Sequence, residues 1–296
     1  MNTNTTSHPG ALLARPFHRA GRHWLRSIIL ALPISLALVA SSNGALYSTG
    51  FETDISDWNA FGPPYNATRV PSGTNGITSA SGSYHAVSSP NGAPFSRWGG
   101  YNYGAGSVPT VFQEYVTSVD IFLDVEGGFA NNTRFDFDSA INNSSGSYLR
   151  DFIFNAGFYN DTDDSPGSGT DRFVIGASTF SQPNNASAKN PVGSPIAIGT
   201  TGWYTFEHRF YDNAGSLAVD MSIYNSSDAL VNNWTLNTTD SIASVGGNRY
   251  GWFSYNQLSV LAFDNASLTI VPEPSSALLL LGSGAMLLLR RRRTAA

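Results

Sequence analysis

The sequence predicts an all-β fold, an antiparallel β-sandwich of the jelly-roll type. Apolar and polar residues alternate with a period of two over several segments, as they do in strands with one buried face. Clusters of Gly, Asn, Ser and Pro separate these segments and are typical of turns. The 296 residues include 29 Gly and 12% aromatic residues, a composition that fits neither a helical bundle nor a disordered acidic tail.

The clearest predicted strand covers residues 111–125. Val119, Ile121 and Leu123 share one face of it, and Asp120 lies on the other. A hairpin is predicted from residues 203–211, the turn residues 212–215 and the returning apolar alternation of residues 217–223. Further strands are predicted at residues 149–159, 172–177, 234–236, 250–255 and 258–270.

Charge is distributed unevenly along the chain. The formal net charge is −5, but four Arg lie within the first 26 residues and four more at 290–293. Residues 46–271 hold the other eight basic residues and 20 of the 21 acidic ones, so their formal charge is −12. An acidic domain with a single Lys argues against a nucleic-acid-binding surface. The absence of Cys excludes disulfides, thiolate zinc sites and a Cys nucleophile.

Residues 1–45 have the three parts of a secretory signal peptide. A cationic segment reaches Arg26, an apolar stretch follows at residues 28–39, and small residues follow from Ala40 to Ala45. The apolar stretch is shorter than the roughly 20 residues of a membrane span. We therefore expect export and cleavage by signal peptidase.

The C-terminal residues 271–296 combine three features. Val271 is followed by Pro272, Glu273 and Pro274, then by an apolar stretch at 277–289 and a basic run. The basic run consists of Arg290, Arg291, Arg292 and Arg293. The prolines end the preceding fold, and the positive-inside rule keeps the Arg run in the cytoplasm. The sequence thus predicts a short C-terminal transmembrane helix and an extracytoplasmic domain at residues 46–270.

This tail resembles the PEP-CTERM sorting signal of Gram-negative bacteria. The resemblance implies recognition by a membrane exosortase, with Pro272, Glu273 and Pro274 as the recognition motif. It also implies an inner-membrane-anchored precursor that loses its tail and is delivered to the cell surface or extracellular matrix. An ordinary tail anchor is the alternative.

The domain resembles the concanavalin A-like or laminin-G-like jelly roll. The resemblance rests on residues 50–52, 202–206, 223–225 and 262–268. Members of that group often bind sugars, and many are adhesive or structural.

An aromatic cluster is the first candidate ligand site. Trp98, Tyr101 and Tyr103 are spaced by glycines, and flat rings of this kind stack on sugar faces. The alternative is that these rings cap one end of the sandwich core.

Two groups of carboxylates are candidates for a catalytic pair or for structural ion pairs. Asp124, near the end of the predicted 111–125 strand, and Glu126, directly after it, are expected on one strand face two residues apart, a spacing that suits the carboxyl pair of a retaining glycosidase. The alternative is a solvated outer face. Asp136 and Asp138 alternate with phenylalanines beside Arg134, and cross-strand ion pairing would account for them.

A calcium site is the third candidate. Asp161, Asp163 and Asp171 lie in the acidic loop 160–171, which supplies the oxygen ligands that Ca²⁺ prefers. The loop lacks the Gly and Glu positions of an EF-hand, and a flexible acidic turn is the alternative. No other cofactor is expected.

Together these features favour an exported, exosortase-sorted, non-enzymatic protein associated with extracellular polysaccharide. The alternatives are a dedicated carbohydrate-binding module that uses Trp98, Tyr101 and Tyr103, and a jelly-roll glycoside hydrolase that uses Asp124 and Glu126. No Gly-x-Ser-x-Gly elbow or Walker loop occurs.

The sorting signal makes a direct prediction. Glu273→Ala, and separately deletion of residues 290–293, should leave an unprocessed precursor in the membrane fraction, because each change removes one part of the signal. Immunoblotting of cell fractions measures both size and location, with Ser276→Ala as the control. Unaltered processing and surface delivery of both variants would contradict the assignment.

Overall fold

The computed structural model describes residues 45–55, 58–60, 67–88, 90, 94–96, 111–163, 165–179, 189 and 194–271. Fifteen strands lie in these ranges and form two antiparallel sheets. Two short 3₁₀ turns, Thr74–Gly76 and Ile242–Ser244, are the helical elements of the described ranges.

The first sheet has eight strands and is built around β6. In spatial order it runs β13-β12-β11-β6-β15-β4-β3, and β1 also pairs with β15. Its strands are β1 (Ala45–Thr49), β3 (Ala67–Pro71), β4 (Tyr84–Ser88), β6 (Tyr115–Leu123), β11 (Gly202–Asn213), β12 (Ser216–Asn225), β13 (Leu230–Ser241) and β15 (Leu261–Ile270).

The second sheet has seven strands, in the order β10-β9-β8-β7-β14-β5-β2. Its strands are β2 (Trp58–Ala60), β5 (Pro94–Ser96), β7 (Thr133–Asn143), β8 (Tyr148–Tyr159), β9 (Arg172–Thr179), β10 (Ile196–Ile198) and β14 (Val245–Asn256). The predicted antiparallel β-sandwich is therefore confirmed.

An aromatic layer joins the two sheets. Phe154 of β8 meets Phe206 of β11 edge to face, with ring centroids 5.1 Å apart. Phe152 packs in the same way on Phe210 at 5.4 Å, and Phe253 of β14 lies 5.1 Å from Phe263 of β15. These rings are fully buried, and such edge-to-face pairs add to the free energy gained by burying their area.

The predicted hairpin is present as β11 and β12, which pair from Tyr204 opposite Asn225 to Asn213 opposite Ser216. Its two-residue turn is Ala214-Gly215, and both residues have positive φ, 54° and 94°. That geometry is a type I′ turn, whose twist matches the flanking strands.

The other predicted strands fall on β6, β8, β9, β13, β14 and β15. Two of the predicted strands are too long: β15 begins at Leu261 and not at residue 258, and β6 runs only from Tyr115 to Leu123 and not over 111–125. The chain turns there because Glu126, Gly127 and Gly128 follow, and Gly128 has a φ of 64°.

The predicted signal and transmembrane helices lie outside the described residues. Among the residues that the structure describes, no helix has the length and hydrophobicity of a membrane span.

The aromatic layer yields a stability prediction. Phe154→Ala removes ring contacts to Phe206 and to His208 at 4.7 Å, and it should lower the free energy of unfolding by about 3–5 kcal/mol. Leu230→Ala is the control, because Leu230 is 57% exposed and its loss should cost less than about 0.5 kcal/mol. Chemical denaturation measures both variants. Equal stabilities for the two variants would contradict the central role of this layer.

Candidate functional site

A cleft of about 230 Å³ opens on the outer face of the eight-stranded sheet. β11 contributes Trp203 and Thr205, which alternate with the core residues Tyr204 and Phe206 and therefore point away from the core. The lining residues are Ala80, Asp120, Trp203, Thr205, Asn225, Ser226 and Asp228.

The Trp203 indole is held in place from several sides. Its Nε1 donates a hydrogen bond to the Thr78 carbonyl oxygen at 2.7 Å. The Phe122 ring packs edge to face at 5.4 Å, and the His85 ring lies 6.0 Å away. The ring is thus pre-positioned at the cleft, and little conformational entropy remains to be lost when a ligand stacks on it.

The Asp120 carboxylate is also fixed. Thr205 Oγ1 donates to its Oδ1 at 2.6 Å, and Asn265 Nδ2 donates to its Oδ2 at 2.8 Å. Asn265 adopts the left-handed conformation, with a φ of 47°, and its Oδ1 accepts the Ser81 hydroxyl at 2.7 Å.

Asp264 lies directly opposite Asp120 in the pairing of β15 with β6. It is fully buried and accepts the backbone N–H groups of Asn265 at 2.8 Å and Ser81 at 3.3 Å. Burial is the main cause that raises the pKa of Asp264 to about 6. A buried carboxyl group therefore lies on the strand beside the lining residue Asp120.

The turn between β12 and β13 closes the other side of the cleft. Asn225 Oδ1 accepts the backbone N–H groups of Ser227 at 2.9 Å and Ala229 at 3.1 Å, which fixes the amide that lines the cleft. A flat ring beside fixed carboxylate, hydroxyl and amide groups can hold a hydroxylated ligand through stacking and hydrogen bonds.

A second polar group lies on the outer face of the seven-stranded sheet. Asp136 and Asp138 of β7 and Asp151 of β8 are buried there, each 2% exposed or less. The expected cross-strand ion pairing is wrong, because the residues opposite Asp136 and Asp138 on β8 are Asn155 and Ile153.

Each of these carboxyl groups is anchored through one oxygen. Asn155 Nδ2 donates to Asp136 Oδ1 at 3.0 Å, and Tyr148 Oη donates to Asp151 Oδ2 at 3.0 Å. The hydroxyl and backbone N–H of Ser254 both donate to Asp138 Oδ2. The other oxygen of each group, Asp136 Oδ2, Asp138 Oδ1 and Asp151 Oδ1, has no hydrogen-bond partner.

Burial changes the proton affinity of all three groups. It raises the pKa of Asp136 to about 7 and that of Asp151 to about 7. It raises the pKa of Asp138 well above its usual value, and the charges of Asp151 and Asp136 raise it further. Carboxyl groups with such raised pKa values are unusual outside functional sites.

The acidic loop that suggested calcium is held together by cations of the chain. Lys189 Nζ bridges Asp161 and Asp163, and Arg172 Nη2 lies 3.2 Å from Asp161 Oδ1 and 3.5 Å from Asp163 Oδ1. The Lys189 hydrogen bonds are the main cause that lowers the pKa of both aspartates. Asp171 is exposed.

Arg172 is the centre of this loop. Its buried guanidinium also donates to the carbonyl oxygens of Pro166 at 2.7 Å and Thr170 at 2.9 Å, and to Ser165 Oγ at 2.7 Å. Within the described ranges no group of three or more His, Asp or Glu side chains is placed to hold a metal ion. Asp161 and Asp163 thus serve as ion-pair partners of Arg172 and Lys189 in this structure.

The other sequence candidates fall in two places. Asp124 and Glu126 lie in the turn after β6, where Thr201 Oγ1 accepts the Glu126 backbone N–H at 3.3 Å. They therefore do not share a strand face as the glycosidase hypothesis required. The remaining candidates lie outside the described residues: Trp98, Tyr101, Tyr103, Pro272, Glu273, Pro274 and Arg290 to Arg293.

The sequence hypotheses missed Trp203 as a ligand-contacting residue. The signal was present, because alternation places Trp203 opposite the core-facing Tyr204 and on the same face of the sheet as Asp120. Asn225 and Asp228 carry no such signal, since their place at the cleft depends on the turn between β12 and β13.

Comparisons with known proteins identify the tail. Residues 271–293 match the model of the PEP-CTERM protein-sorting motif. This motif implies an exported, membrane-anchored precursor in a Gram-negative bacterium that is processed by an exosortase. No curated protein sequence matches the chain.

Several solved structures are similar in shape. Basic winged bean lectin with Tn-antigen is 11% identical, with 76% of this chain and 97% of the lectin covered at a TM-score of 0.38. The Bauhinia forficata lectin in complex with GalNAc is 11% identical, with coverages of 76% and 97% and a TM-score of 0.36. The CBM2 module of the Lactobacillus casei BL23 phage J-1 evolved Dit protein is 9% identical, with coverages of 77% and 97% and a TM-score of 0.35. Likeness at this level identifies no ligand for the present chain.

The buried carboxyl groups predict a pH-dependent stability. The folded chain keeps protons on Asp136 and Asp151 up to about pH 7, whereas the unfolded chain releases them near 3.8. Their contribution to stability is therefore full below pH 4 and is lost as the pH rises through 7. The melting temperature should be lower at pH 8.5 than at pH 5, by about 5 °C or more.

The double variant Asp136→Asn and Asp151→Asn removes two of the buried carboxyl groups with raised pKa values, leaves Asp138 and Asp264 in place, and should therefore reduce this dependence. Thermal unfolding at the two pH values measures the effect. Equal pH dependence in the variant and the unaltered protein would contradict the assignment.

Proposed function

We propose that this protein is an exported, non-enzymatic component of the cell surface or extracellular matrix that binds extracellular polysaccharide. Signal peptidase removes residues 1–45, and an exosortase recognises Pro272, Glu273 and Pro274 and removes the tail. The single observation that supports polysaccharide binding is the fixed Trp203 ring at a cleft lined by polar groups.

The cleft suits a sugar ring on chemical grounds. A pyranose presents a flat C–H face to an aromatic ring and hydroxyl groups at its edge. Trp203 supplies the ring, while Asp120, Asn225 and Asp228 supply polar groups beside it. Since these partners are held by the fold, binding requires little reorganisation.

Charge supports a neutral ligand over an anionic one. Two carboxylates, Asp120 and Asp228, line the cleft, and none of the seven lining residues is cationic. The domain as a whole carries a formal charge of −12. An acidic polysaccharide would be repelled at close range, whereas neutral hydroxyl groups can donate to these oxygens.

Binding without cleavage is supported by the state of Asp120. Both of its oxygens already accept hydrogen bonds, so the group is a fixed acceptor and is poorly suited to exchange protons with a substrate. The alternative hydrolase pair, Asp124 and Glu126, lies in the turn after β6 and away from a shared strand face.

The junction between domain and tail suits proteolytic removal of the tail. β15 ends at Ile270, and Val271 is tied to the fold by a backbone hydrogen bond to the Glu114 carbonyl oxygen at 2.9 Å. The matched sorting motif begins at residue 271. Cleavage after this point would leave every strand of the sandwich intact.

Trp203→Ala is the direct test. The variant should bind the exopolysaccharide of the producing strain at least tenfold more weakly, a loss of about 1.4 kcal/mol, because the stacking surface is gone. Tyr211→Ala is a matched control on the same strand and face, about 26 Å away at 3.3 Å per residue. Affinity electrophoresis in gels that contain the polysaccharide measures both. Equal affinity of the Trp203 variant and the control, with both folded, would remove the cleft from the proposal.

A further inference from the structure

We propose that Asp264 is the latch of one wall of the Trp203 cleft, and that this latch makes saccharide binding stronger at mildly acidic than at alkaline pH. The wall is the rim loop, residues 78–81, which supplies Ala80 to the lining and the Thr78 carbonyl oxygen that fixes the Trp203 indole. Asp264 does not line the cleft and is therefore a positioning residue. The effect on binding rests on the proposed function, whereas the latch itself does not.

Two consecutive residues of β15 hold the rim loop. Asp264 Oδ2 accepts the Ser81 N–H at 3.3 Å, and Asn265 Oδ1 accepts the Ser81 hydroxyl at 2.7 Å. The pairing of β15 with β6 shifts register between Asp264 and Ser267, which marks a β-bulge, and Asn265 lies within it. Bulges redirect side chains, and Asn265 also donates to Asp120 at 2.8 Å. Rim loop, latch and cleft lining therefore belong to one hydrogen-bonded network.

The rim loop covers the Asp264 carboxyl group. The preceding residue, Phe263, lies in the core opposite Ile121, so alternation directs Asp264 to the outer side of the sheet. Asp264 is nevertheless 0% exposed. The groups that lie against it there include Ser81 and Gly50, where an added Cβ would lie 3.9 Å from Asp264 Oδ1. Opening of the rim loop would thus admit water to this carboxyl group.

Protonation of Asp264 favours the closed loop. Burial raises its pKa to about 6, although the backbone N–H groups of Asn265, Ser81 and Ala80 act in the opposite direction. With the loop open the carboxyl group would return to water and to its ordinary pKa of 3.8. The closed state therefore gains most from this group below pH 4, and the gain is lost as the pH rises through 6. The difference between the two pKa values limits the change in the opening equilibrium to roughly a hundredfold.

Other charged groups surround the latch. The charge of Asp120 on β6 raises the pKa of Asp264 further. Glu52 accepts two backbone N–H groups just after the rim loop, and Arg69 donates to the Glu52 carbonyl oxygen. His85 of β4 is buried beside the loop, and burial lowers its pKa. Protonation of His85 would place a charge under the loop and favour opening at low pH, which is the opposite sign to the latch.

Closure of the loop affects the ligand through Trp203. An open loop would withdraw the Thr78 carbonyl oxygen from the indole and Ala80 from the lining, so that only the closed state presents the assembled cleft. The apparent affinity of a site falls with the fraction of molecules in the competent state. Affinity should therefore decrease as the pH rises through 6.

Hydrogen–deuterium exchange at pH 5 and pH 8 tests the latch without any ligand. After correction for intrinsic exchange rates, protection of the amides at residues 79–83 should fall at least tenfold from pH 5 to pH 8, because these amides exchange when the loop opens. Asp264→Asn places a neutral amide of similar shape there and should make this protection independent of pH. Asp151→Asn is the matched control, since Asp151 is a buried aspartate of raised pKa on the other sheet. This control should behave like the unaltered protein.

Isothermal titration calorimetry at the same two pH values tests the effect on binding. The probe is a set of oligosaccharides released from the producing strain's exopolysaccharide by partial acid hydrolysis. The unaltered protein should bind them at least threefold more weakly at pH 8 than at pH 5, and Asp264→Asn should bind them equally at both.

The outcomes separate the latch from the proposed function. Protection at residues 79–83 that does not fall with pH, or that falls equally in Asp264→Asn, would overturn the latch. Binding that is independent of pH while protection changes would overturn its coupling to the ligand. Protection that changes as expected in a protein that binds no saccharide would support the latch and contradict the proposed function instead.

Discussion

The aromatic layer between the two sheets is the constraint on which the other features depend. Phe154, Phe206 and their neighbours must face inward, and a strand that slips by one residue would exchange every inward and outward side chain. Because the register of β7 places Phe135 and Phe137 in the core, Asp136 and Asp138 must lie on the outer face. The same rule on β11 places Trp203 outward.

The polar groups on the outer faces of the two sheets differ in burial and in hydrogen bonding. On the eight-stranded sheet, Asp120 accepts one hydrogen bond at each oxygen, from Thr205 and Asn265, and its neighbour Trp203 lines an open cleft. On the seven-stranded sheet, Asp138 is buried, accepts at one oxygen only and has a raised pKa.

The strands with one polar face could be predicted from sequence, and their boundaries were close to the observed ones. β11 and β12 are an example, since alternation and a Gly-containing turn specify a hairpin. β7 was harder to interpret, because alternation shows that Asp136 and Asp138 share a face without showing that this face is buried. Whether this second face is buried depends on contacts with residues distant in sequence, and the alternation of residues within one strand carries no information about those contacts. The cleft was missed for the same reason, since Asp228 reaches it through a turn distant in sequence from Asp120.

The most direct test of polysaccharide binding is a crystal structure of the protein with an oligosaccharide of its own exopolysaccharide. A sugar ring should stack on Trp203, with its hydroxyl groups beside Asp120 and Asn225. Bound sugar that does not contact Trp203 would contradict the proposal.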